Sequence, residues 1–106
     1  MKRLFICQPM RGKTDEQIML ERNIAISQAE QLLGEQVDVI DSFFQGVCFE
    51  GNQPLYLLGK SLELLATADV LYCASGYENA RGCRVEKLCA LEYGIPIIED
   101  LNNTLT

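Results

Sequence analysis

The sequence predicts an α/β fold, a three-layer sandwich in which helices cover both faces of a mainly parallel four-stranded sheet. Short runs rich in branched and aromatic residues alternate with longer spans of helical apolar period, a strand coming first. Glycines 34 and 94 stand just past two of the helical spans, where a left-handed stop is wanted. The 106 residues form one domain over 1–106, and a chain of that size buries roughly two-thirds of its surface without staples.

Residues 2–8 read as a short buried strand ended by Pro9. Thr14, Asp15, Glu16 and Gln17 fit a capping box, so a helix is expected from Asp15 to about Leu33. Ile18, Ala25, Ala29 and Leu32 supply its core stripe, and Gly34 stops it. Val37–Asp41 read as the second strand. The stretch 42–54, with two glycines and a proline, reads as an irregular mobile loop. Pro54 suits the opening of a second helix to Ala66. Asp69–Ala74 form the third strand, Ser75–Gly82 a polar turn, Cys83–Tyr93 the third helix and Ile95–Glu99 the fourth strand.

This alternation implies a parallel sheet, and right-handed crossovers leave few topologies. The expected order is 2-1-3-4, a flavodoxin-like or Rossmann-like arrangement. Its switch point lies between the first and third strands, and ligands bind there beyond the carboxyl ends. Two polar, glycine-bearing segments, 8–13 and 75–82, must meet at that point. Their convergence is the first functional signal.

Bulk properties narrow the partners. The formal charge is −6 and the pI about 4.5, which argues against nucleic acid, since a duplex binder needs a basic face. No apolar run approaches the roughly 18 residues that cross a bilayer. The run Leu4, Phe5, Ile6, Cys7 after Lys2 and Arg3 is too short for a signal peptide, so the chain reads as cytoplasmic, with no membrane partner. Five cysteines without CxxC spacing and no histidine remove most zinc arrangements and every Ser-His or Cys-His dyad. No cofactor or metal is expected. The cysteines read as small apolar side chains, with Cys83, near a helix start, the one placed to carry a lowered thiol pKa.

On the third helix, Gly82, Val85, Glu86, Cys89 and Tyr93 fall on one stripe at about 100° per residue. Glu86 thus lies on a largely apolar face, where a carboxylate needs a partner or a purpose. It is the candidate catalytic residue; the bland alternative is an ion pair with Arg11 or Arg81. Arg11, Gly12 and Lys13 precede the Thr14 cap, a combination that suits phosphate but lacks the Walker A spacing. Ser75, Tyr77, Asn79, Arg81 and Gly82 make the second candidate patch. Tyr77 is suited to stacking on a base or sugar, Asn79 to a helix cap or a ligand amide contact, and Gly82 to close approach of a ligand.

The stretch Cys7, Gln8, Pro9, Met10, Arg11, Gly12 resembles the strand-one loop of nucleoside 2-deoxyribosyltransferases and the related 2′-deoxynucleoside 5′-phosphate N-hydrolases. Ala68, Asp69 and Val70 resemble their third-strand start, and the run from Gly82 to Glu86 resembles the segment carrying their nucleophile. The likeness runs over about residues 3–99 and is strongest to a small, mostly phage-associated branch. It implies that Glu86 attacks the anomeric carbon of a nucleotide or nucleoside, with Gln8, Met10 and Gly12 at the substrate and Arg11 on a 5′-phosphate. Ser61 stands where these enzymes carry an aspartate, Phe5 where they carry a tyrosine, and Ala80 where they carry another acid. The acid that protonates the base is left open among Asp41, Glu78, Glu99 and a group from another subunit. A catalytically silent nucleotide-binding module is the alternative to an enzyme. Apolar Leu55, Tyr56, Leu58, Leu62 and Leu65 on the second helix suggest a homo-oligomer.

Overall fold

In the computed structural model, residues 1–42 and 48–100 are described. The expected mobile loop therefore falls, for residues 43–47, outside the described residues. Strand β1 (Lys2–Cys7) leads to helix α1 (Asp15–Leu33), strand β2 (Val37–Val39), helix α2 (Gln53–Leu65) and strand β3 (Val70–Cys73). A single 3₁₀ turn (Tyr77–Asn79), helix α3 (Arg81–Glu92) and strand β4 (Ile97–Glu99) complete the order.

The sheet runs β2-β1-β3-β4 and every pairing is parallel. This is the expected flavodoxin-like topology. At the switch point Cys7 pairs with Cys73. Alternation along β1 divides its side chains between two cores. Leu4 and Ile6 pack with Val70, Tyr72, Ala25 and Ala29 on the α1 side, whereas Phe5 and Cys7 join Leu71, Cys73, Leu65, Cys83 and Ala90 on the α2–α3 side.

Local chemistry sets the helix ends. Thr14 Oγ1 accepts from the Gln17 amide at 3.1 Å while Gln17 Oε1 accepts from the Thr14 amide at 2.9 Å, the reciprocal box that fixes the first turn of α1. Gly34 closes α1 at φ +71°, a conformation costly for residues with a Cβ. Asn52, with its Oδ1 accepting from the Leu55 amide, caps α2. Two core assignments are corrected. Leu32 is 54% exposed and the fourth stripe position of α1 belongs to Arg22, 5% exposed. On α3 the buried stripe is Cys83, Glu86 and Ala90, rotated from the expected one, and Tyr93 is 83% exposed. No helix among the described residues is long and apolar enough to cross a membrane.

Candidate functional site

A cavity of about 1000 Å³ opens beyond the carboxyl end of β1, between α2 and the start of α3. That is at the upper end of ordinary ligand sites, roughly 300–1,000 Å³. Its walls bring together Gln8, Met10, Arg11, Ser61, Asn79, Arg81, Gly82 and Glu86. The expected segments thus meet, and α2 adds an apolar wall of Leu55, Leu57 and Leu58.

Glu86 sits one turn into α3, on the helix face turned towards β1, and is 8% exposed. Among the described residues it forms no ion pair, so the pairing with Arg11 or Arg81 is not found. The Cys7 thiol and the Ser61 hydroxyl are the donors beside its carboxylate, and both favour the charged form. Burial pushes its carboxyl up to about 7, against the opposite pull of those two donors. Cys7 in turn is raised far above the usual thiol range, first by its hydrogen bonds with Cys73 and Cys83, then by burial and the nearby Glu86 charge. Cys7 Sγ, Cys83 Sγ and a Glu86 carboxylate oxygen lie within 4.8 Å of one another. This is the group that could hold a metal ion among the described residues.

The turn after β1 sorts its polar groups. Gly12, at φ +79°, lets the chain reverse so that the Lys13 amide reaches Met10 O at 3.2 Å; it does not line the cavity. Lys13 is turned away, its Nζ donating to both Glu21 oxygens at 2.7 and 2.9 Å. Arg11 stays on the cavity wall with no ion pair among the described residues. Gln8 is on the wall, but its amide is committed. Nε2 donates to Ile18 O and Glu21 Oε1 at 3.3 and 3.2 Å, and Oε1 accepts from Arg22 Nη1 at 3.1 Å.

The second loop divides likewise. Tyr77 is corrected from a stacking platform to a core residue. Its hydroxyl donates to Glu99 Oε1 at 2.9 Å, and Lys87 Nζ donates to both groups. Ser75 is exposed at the strand end, off the cavity wall. Asn79 reaches the wall, but the N-cap position of α3 is Ala80, with no side-chain cap, so Asn79 does not serve as one. Gly82 is on the wall, and an added Cβ there would meet only Leu58 Cδ1 at 4.0 Å.

Of the possible proton donors, Glu99 is held below the ordinary carboxylate value by Lys87 and then Tyr77, and neither it, Asp41 nor Glu78 lines the cavity. Glu86 is the one acid on its wall among the described residues. Sequence reasoning missed Ser42, 6% exposed, whose hydroxyl has no hydrogen-bond partner among the described residues and which also lines the cavity. Its position just beyond the carboxyl end of β2 was the available signal.

The chain matches no protein-family model and no curated protein. Among solved structures it is similar to a 2-deoxyribosyltransferase from the psychrotolerant bacterium Bacillus psychrosaccharolyticus, at 18% identity and a TM-score of 0.58, over 92% of this chain and 70% of that one. It is also similar to a conserved protein from Enterococcus faecalis V583, at 16% identity and a TM-score of 0.60, over 93% of this chain and 62% of the other. At these identities the likeness establishes a 2-deoxyribosyltransferase-like fold.

Proposed function

We propose that this chain cleaves or transfers the N-glycosidic bond of a nucleotide or nucleotide-like small molecule, with Glu86 as nucleophile. The observation that carries the reading is a buried carboxylate, free of any counter-ion among the described residues, on the wall of a cavity that also holds Arg11. In this mechanism a Glu86 oxygen attacks the anomeric carbon through an oxocarbenium-like transition state. The bond to the base breaks and its electron pair leaves with the base, which takes up a proton. Water, or an acceptor base, then resolves the glycosyl ester. Arg11 holds the 5′-phosphate by charge-assisted hydrogen bonds, and the uncapped start of α3 adds backbone donors that favour an anion.

The pKa near 7 makes the attacking form scarce in acid, so turnover rises with pH through neutrality. The named activity of the Bacillus neighbour supports glycosyl transfer as the reaction class. Free thiols suit a reducing cytoplasm. Leu55, 63% exposed on α2, supports self-association through that helix.

A silent binding module is the second reading, favoured by Glu86 being the sole acid on the cavity wall among the described residues. A panel of ribo- and deoxynucleotides, read for base release and for ligand-dependent melting in the wild type and in Glu86→Gln, separates the two. Base release lost in Glu86→Gln supports the enzyme. Melting shifts without release in the wild type support the module. Neither response with any nucleotide overturns both.

A further inference from the structure

We infer that Cys7, Cys83 and Glu86 form a binding site for a thiophilic divalent cation, Zn²⁺ or Cd²⁺, at the floor of the cavity. Cys7 closes β1, Cys83 lies in the first turn of α3, and Glu86 follows one turn later on the same buried stripe. Their ligand atoms already lie within 4.8 Å of one another. A tetrahedral zinc with bonds of roughly 2.0–2.3 Å needs its ligands about 3.3–3.8 Å apart, so binding would draw the three side chains closer together.

The donor set selects the ion. Two thiolates with one carboxylate favour zinc or cadmium over magnesium and calcium, which prefer oxygen throughout. Three protein ligands leave a fourth position facing the cavity, whose wall includes both Cys83 and Glu86, so an entry path exists. Cys73, the register partner of Cys7 on β3, stands beside that ligand. On binding, Cys7 and Cys83 each give a proton to solvent, as does Glu86 where it is protonated. Each freed lone pair is donated to the ion, and no electron changes hands. A filled site occupies the carboxylate that glycosyl transfer requires, so the ion inhibits. That consequence rests on Glu86 as nucleophile; the binding does not.

The test titrates the reduced, metal-free full chain with Cd²⁺ and follows the ultraviolet thiolate-to-metal absorption, a readout independent of turnover. One equivalent per chain is expected in the wild type, and also in Cys48→Ser and Cys89→Ser. Cys83→Ser should lose part of the band and bind about 10-fold more weakly or worse, and Glu86→Gln should keep the band with a similar loss of affinity. No thiolate band in the wild type, or an unchanged affinity in Cys83→Ser, overturns the site. Where circular dichroism shows Cys83→Ser unfolded, Glu86→Gln decides, and an unchanged affinity there is equally fatal.

Discussion

Arg22 and Glu86 are buried charges on opposite faces of one sheet, and they are housed in opposite ways. The guanidinium of Arg22 donates to Gln8 Oε1 and to Ile40 O, both at 3.1 Å. Burial lowers its pKa, and the charge of Asp41 offsets part of that. Its polar groups tie the strand-one loop to the end of β2, a structural arrangement. Glu86 has a thiol and a hydroxyl for partners, ionises near neutrality and faces open volume. A satisfied buried charge holds the fold together, whereas an under-compensated one beside a cavity marks a place for chemistry.

Substitutions at the two sites should therefore separate activity from stability. Glu86→Gln is expected to lower base release by roughly 10³-fold while leaving the fold intact, measured by chromatography of the free base. Arg22→Met should do the reverse. It orphans Gln8 Oε1 and Ile40 O, and urea unfolding should show a loss of about 3 kcal/mol.

The pH dependence sharpens the contrast. Folding raises the Glu86 pKa from its ordinary 4.5 to about 7, so the native state holds that proton more tightly than the unfolded chain. The stabilisation is whole below about pH 4.5 and is lost as pH rises through 7, worth about 3 kcal/mol in total. Urea melts across this window should show that slope in the wild type and not in Glu86→Gln. Arg11→Met should weaken binding of a nucleoside 5′-monophosphate by roughly 10-fold or more and leave the matching nucleoside unaffected, as calorimetry would show. The smallest effect is expected from Ser61→Ala. Removing one of the donors to Glu86 raises its pKa further, shifting the pH–rate profile upward by about half a unit.

The order of elements was legible because each rests on local rules. Both ends of α1 lie where expected, since the Thr14–Gln17 box and Gly34 are written in adjacent positions. The start of α3 was misplaced by two residues because Ala80 brings no capping side chain to mark it. Periodicity placed Glu86 on the buried face but could not foresee Arg22, because a charge at a stripe position becomes tolerable only through partners supplied by β1 and β2. Tyr77 misled for the same reason, since its partners Lys87 and Glu99 lie on later elements. The approach of Cys7 to Cys83 depends wholly on how α3 docks against the sheet, and spacing along the chain carries no trace of it.

The most direct test of the nucleophilic role is rapid-quench mass spectrometry of the intact protein during incubation with the nucleotide panel. A mass increment equal to one sugar phosphate less one water, mapped to the peptide containing Glu86 and missing in Glu86→Gln, is the predicted result. Base release at the wild-type rate by Glu86→Gln would contradict it.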